Sequence, residues 1–216
     1  MLKNDRKGYR FAGILALVFL LMPSFAVQAE LVTRIAVISF QALPATEGHT
    51  VSCPLCGAGS SSGKIMEGAE KIVEDVFMDR LNKARDIELI PSEKVQRAYG
   101  KTSSGKSPET SAENFKKVGR ELGADFLVIG YVYRYTERVG YKYSSEHPAS
   151  VVFEIHLIKT ADGSSIWRGF FDKTQTSLME NLFEIFSFFK GGAIWVDARQ
   201  LTELGMDEVF ETFPTF

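Results

Sequence analysis

The sequence predicts an α/β (α+β) sandwich, a mixed sheet of about five strands with helices packed on it. Two apolar, β-branched runs at residues 31–40 and 124–135 read as buried strands, and residues 150–160 alternate cleanly into an Asp162-Gly163 hairpin signal. Between and after these strands lie stretches with helical spacing, so the order is β-α-β-α-α-β-β-β-α-α.

The first 29 residues are not part of that fold. Lys3, Arg6, Lys7 and Arg10 precede an uncharged apolar run over residues 11–25, and Val27-Gln28-Ala29 places small or compact residues at a cleavage point. This is the layout of a secretory signal peptide cut after Ala29. The run is broken by Pro23 and falls short of the roughly 20 residues that a spanning helix needs. No later stretch is long and apolar enough to span a membrane. The expected product is a single α/β domain, residues 30–216, exported to the periplasm and either free there or peripheral to a membrane. Its carboxy-terminal region, about residues 177–216, is Phe-rich and helical.

The chain carries 25 Lys and Arg against 27 Asp and Glu. Removing the leader, with its four bases and one acid, makes the balance more acidic, which excludes the electrostatic footprint of a nucleic-acid binder.

After the opening strand, residues 41–62 are rich in Gly, Ser and Pro and read as loop. A long helix over residues 64–83 follows from Ile65, Ala69, Ile72, Val73, Val76 and Leu81 at helical spacing. Residues 86–90 read as a short strand. A short helix from Ser92 to Tyr99 follows, then a Gly/Ser/Lys loop to Pro108. Thr110 with Glu113 forms a capping box for a third helix, whose stripe is Phe115, Val118 and Leu122 and whose stop is Gly123. The strand at 124–135 is apolar nearly throughout, which suggests a central position. In the next strand Val151, Phe153, Ile155 and Leu157 face one way. Glu154 and His156 face the other and are expected at the surface. A returning strand at 165–173 closes the hairpin. Ser177 with Glu180 caps a helix to about Lys190, and a last helix over 197–212 is expected to break at Gly205.

Residues 100–107, GKTSSGKS, fit the phosphate-loop pattern. Such a loop joins a strand directly to a helix, whereas a helix is expected here before Gly100 and Pro108 disfavours helix after Ser107. No nucleotide-binding site is assigned. His147 is expected at the surface, no serine lies in a nucleophile elbow, and no set of residues for acid–base or nucleophilic catalysis is visible. Tyr131, Tyr133, Tyr135, Tyr141 and Tyr143 are expected to be core or sheet face rather than a stacking surface.

Two features carry the functional readings. Cys53-Pro54-Leu55-Cys56 has three: a local disulfide, half of a metal site with His49 as the nearby third candidate, or a dithiol redox centre. A closed zinc site needs about four ligands, so more would have to come from elsewhere. A redox motif belongs at a helix start, and residues 57–63 intervene here. The second feature is the helix after Ser177, apolar nearly all round. Leu182, Phe183, Phe186 and Phe189, with Trp195 beyond, are candidates for a partner surface or self-association, the alternative being a fully buried helix.

The order of elements, with RIAVISF at the start, GADFLVIGYVYRY in the middle and VVFEIHLIKTADGSSIW after it, resembles the TolB amino-terminal domain and CsgG-like periplasmic α/β family. The resemblance spans about residues 31–172 and rests on Gly123-Ala124-Asp125, Asp162-Gly163 and Trp167. It implies an α/β sandwich acting in envelope assembly through protein contacts. The sequence thus points to a non-enzymatic periplasmic envelope protein in an assembly or accessory role. The alternative is a periplasmic thiol-redox or metal-binding protein using the CPLC loop, for which zinc is the one cofactor the sequence suggests.

Overall fold

The computed structural model describes residues 32–45, 49–84, 86–103, 112–141, 144–175 and 196–216. Its strands are β1 (Thr33–Val37), β2 (Gln41–Ala42), β3 (Thr50–Ser52), β4 (Gly59–Ser61), β5 (Ile87–Leu89), β6 (Phe126–Thr136), β7 (Val139–Tyr141), β8 (Ser144–His147), β9 (Ser150–Lys159) and β10 (Ser165–Thr174). Its helices, here α1 to α4, are Ala69–Leu81, Ser92–Ser103, Ala112–Leu122 and Ala198–Phe210.

The five strands expected from the sequence form one mixed sheet in the order β10-β9-β6-β1-β5, with β2 added beside β6. β1 runs parallel to β5 and β6, while β9 runs antiparallel to β6 and β10. The apolar strand β6 is central, as its composition predicts for a strand covered on both faces.

Helices cover both faces. On one, Val73, Val76 and Phe77 of α1 and Leu201, Met206 and Val209 of α4 pack on Ile35, Val128, Val132, Phe153 and Ile155. On the other, Val95 and Ala98 of α2 and Phe115 and Val118 of α3 pack on Leu127, Ile129, Tyr131, Tyr133 and Ile158. Three of the tyrosines are core, as expected: Tyr131, Tyr133 and Tyr135 are all buried, while Tyr143 lies outside the described residues. A register shift between Val132 and Arg134 breaks the two-residue alternation, so Tyr135 joins the first core while Tyr131 and Tyr133 belong to the second.

Four element expectations are corrected. The first long helix starts at Ala69 rather than near Lys64, because Gly68 is left-handed at φ 76°. α2 runs through Gly100 to Ser103, so the front of the phosphate-loop pattern is helix, and residues 104–107 lie outside the described residues. The stretch read as loop contains the β3–β4 hairpin. α4 does not break at Gly205, which is buried within it. A Cβ there would lie 2.6 Å from ring atoms of Phe171, so the glycine admits a close helix–sheet contact rather than ending the helix.

The leader, Thr110, Ser177, Glu180, Leu182, Phe183, Phe186, Phe189 and Trp195 lie outside the described residues. Among the described residues, no helix is long and apolar enough to cross a membrane.

Candidate metal centre

The CPLC loop is a turn built to hold a sulfur. It closes the β3–β4 hairpin, where Ser52 pairs with Gly59, and the Cys53 N–H donates to Ala58 O at 2.8 Å. Gly57 N–H returns to Cys53 O at 2.9 Å, which requires the left-handed Gly57 at φ 71°. The turn aims the N–H groups of Leu55 and Cys56 at Cys53 Sγ, each at 3.4 Å. Both donors favour the thiolate over the thiol.

Cys53 points inward and is 2 % exposed. The loop covers the part of the second sheet face where β9 presents Glu154 and His156. These two residues are spaced by two on a strand and so share a face. Cys53 Sγ lies 3.4 Å from His156 Nε2, and the Cys56 thiol donates to Glu154 Oε1 at 3.3 Å. One ligand atom from each of Cys53, Cys56, Glu154 and His156 lies within 4.8 Å of the others.

The surroundings hold this set in place. Glu154 Oε1 accepts from Arg168 Nε at 2.5 Å and lies 2.7 Å from His156 Nε2, while Oε2 accepts from the Tyr133 hydroxyl at 3.0 Å. His156 Nδ1 is 3.1 Å from Ser165 Oγ. A serine hydroxyl donates or accepts, so it serves either imidazole tautomer and leaves Nε2 for the cluster. The Arg168 guanidinium also lies 4.9 Å over the Phe170 ring. Tyr131 stands edge-on to His156, ring centroids 6.4 Å apart, and its buried hydroxyl has no partner among the described residues.

The electrostatics follow from burial and pairing. Burial opposes ionisation of Glu154, but hydrogen bonds from His156, Arg168 and Cys56 outweigh it and hold the carboxyl well below the usual carboxylate range. Burial pushes the Cys53 thiol from 9.0 up to about 11. Metal binding would therefore displace a proton from Cys53. With both thiols ionised, two thiolates and a carboxylate face one guanidinium. A divalent cation brings that set to neutrality. Two sulfurs, an imidazole and a carboxylate are donors that zinc accepts in a four-coordinate site.

Sequence reasoning located half of this site. Both cysteines are free thiols, not a local disulfide. His49 does not join them: it is exposed, and its carbonyl accepts from Ser62. The third and fourth candidates are the strand residues assigned to the surface. Glu154 and His156 are 0 % and 1 % exposed, because the hairpin roofs over their face. The available signal was two polar residues at alternate positions inside an otherwise apolar strand, in a chain whose only cysteines form a C-x-x-C pair. His147 is exposed as expected.

No protein-family model matches the chain, and no curated protein matches it at a significant level. Among solved structures it is similar to the PelC dodecamer from Paraburkholderia phytofirmans, at 12 % identity over 82 % of this chain and 84 % of that one, TM-score 0.44. It is similar to the hypothetical protein CT253 from Chlamydia trachomatis, at 12 % identity over 83 % and 94 % of the two chains, TM-score 0.45. It is also similar to the LpoB C-terminal domain from Salmonella enterica, at 10 % identity over 69 % and 88 %, TM-score 0.37. None of the three is a TolB amino-terminal domain or a CsgG. What the structure bears out of that resemblance is the α/β sandwich.

Proposed function

We propose that this chain is an exported metal-binding protein that holds one divalent transition ion, zinc by its donor set, through Cys53, Cys56, Glu154 and His156. The observation that carries the reading is the convergence of four ligand atoms within 4.8 Å from two segments about 100 residues apart in sequence, three of the four residues being buried. Four protein ligands fill a tetrahedral site, so the ion acts as a structural clamp, tying the hairpin turn to β9, and not as a Lewis acid with an open position. Export rests on the leader ending at Ala29. The test is metal analysis of the purified chain, followed by titration with cobalt, whose thiolate charge-transfer absorption reports sulfur ligation. Stoichiometric metal in the wild type and in His49→Ala, with loss in Cys56→Ser and His156→Ala, is the expected pattern. A wild type that takes up neither ion overturns the reading.

A second reading, action through contacts with an envelope partner or another copy of the chain, has its own support. β10 is an edge strand of the sheet, and it exposes Ile166 and Phe170 at 47 % and 38 %. Leu182, Phe183, Phe186, Phe189 and Trp195, in the stretch after β10, belong to the same proposal. Crosslinking in the native envelope tests it. Capture of a defined partner or a dimer that Phe170→Asp or Phe186→Asp abolishes supports contact, and unchanged capture by both variants overturns it.

A further inference from the structure

We infer that the metal site is emptied by oxidation: Cys56 reacts first with an oxidising disulfide from solution, Cys53 resolves the adduct, and the metal leaves as the Cys53–Cys56 bond forms. This rests on the metal-binding reading and adds a release mechanism to it. The geometry that points to it is an asymmetry within the ligand set. Cys53, Glu154 and His156 are closed to solvent at 2 %, 0 % and 1 % exposure, while Cys56 is exposed. Of the four ligands, the one open to a reagent is a sulfur, the atom type that reacts with disulfides. Its partner in a ring closure is already near. The two sulfurs lie within 4.8 Å of each other, in one turn pinned by Gly57 N–H to Cys53 O. Forming the bond requires a local closure of that turn rather than movement of the sheet. An exported chain also meets disulfide oxidants instead of a reducing thiol pool.

In the first step the Cys56 sulfur attacks one sulfur of the reagent, forming a mixed disulfide and expelling one thiolate. The Cys53 sulfur then attacks Cys56 Sγ and expels the second. Two electrons pass from the protein sulfurs to the reagent disulfide, which takes two protons and leaves as two thiols. Two of four ligands are then lost as anionic donors. The remaining Glu154 and His156, paired with Arg168 and Ser165, are too few to hold a tetrahedral ion. Reduction regenerates both thiols and the site.

The experiment loads the wild-type chain with zinc, adds oxidised glutathione, and follows zinc with a chromogenic chelator and thiols by mass spectrometry. One zinc should be released for each intramolecular disulfide formed, and dithiothreitol should restore binding. Cys53→Ser should stop at a glutathione adduct on Cys56, and Cys56→Ser should leave the buried Cys53 unmodified while the chain stays folded by circular dichroism. A chain that loads zinc and keeps it after both thiols are oxidised overturns the inference and leaves the metal site standing. So does a chain whose Cys53 is modified in Cys56→Ser as readily as Cys56 is in Cys53→Ser. A chain that never loads zinc overturns both.

Discussion

His156 Nε2 lies 3.4 Å from Cys53 Sγ, a contact between residues 103 positions apart in the chain. It ties a turn held by a two-stranded hairpin to a strand near the middle of the sheet. A ligand that binds only where both are in place stabilises the folded chain by mass action, about 4 kcal/mol at a free concentration a thousand times its dissociation constant. For a chain of this size that corresponds to a melting-temperature rise of roughly 8–16 °C. Thermal melts with zinc and with excess chelator should show this rise in the wild type. His156→Ala should melt at the same temperature in both. A wild-type melt insensitive to zinc would count against the clamp.

Ser165 touches the cluster only through His156, its Oγ 3.1 Å from Nδ1. Removing the hydroxyl frees the imidazole to rotate and to change tautomer, while the fold should survive because Ser165 is exposed at the start of β10. Loss of such an outer partner weakens metal affinity by about 10–100-fold. Competitive chelator titration of Ser165→Ala should find zinc affinity reduced within that range, with cobalt spectra still showing sulfur ligation. Unchanged affinity would mean that His156 is oriented by packing alone.

The sheet was legible in the sequence because hydrophobic period reports it directly. β6, β9 and β10 fall within two residues of the runs that predict them, and β1 within three. The site was legible only in its local half. Alternation along β9 states correctly that Glu154 and His156 share a face, but it cannot state what covers that face. The cover is a pair of three-residue strands, Thr50–Ser52 and Gly59–Ser61, too short and too rich in Ser and Gly to show any period. The polar face therefore read as solvent. Gly205 failed for a related reason: local propensity makes glycine a helix breaker, whereas the Phe171 ring that demands a glycine comes from a distant strand.

Tyr131, Tyr133 and Tyr135 set the alkaline limit of the fold. Burial raises all three phenols above their ordinary value of 10.0. The folded chain therefore keeps protons that the unfolded chain gives up as pH passes 10. Its stability is full below that value and falls as pH rises further. In the metal-free chain the neutral Cys53 thiol works in the same direction from pH 9.0. In an alkaline titration followed by ultraviolet phenolate absorbance, these three tyrosines should ionise in the same step in which circular dichroism is lost. Gradual ionisation with the fold intact would show that they are reached by solvent.

Gly205 offers a test in which two effects oppose each other. Alanine in the interior of α4 gains about 1 kcal/mol of helix propensity over glycine. Its Cβ, however, would lie 2.6 Å from three ring atoms of Phe171, a side chain 4 % exposed and packed against Phe153 with centroids 5.4 Å apart. The ring would have to shift against that neighbour, and overpacking of this kind costs about 1–3 kcal/mol. The steric effect should win, so Gly205→Ala is expected to lower stability by up to about 2 kcal/mol in urea unfolding. Combining it with Phe171→Leu removes the clash and exposes the propensity gain. With Phe171→Leu already in place, the substitution at 205 should be less destabilising, or favourable. Additive effects of the two changes would show that helix and strand do not press on each other there.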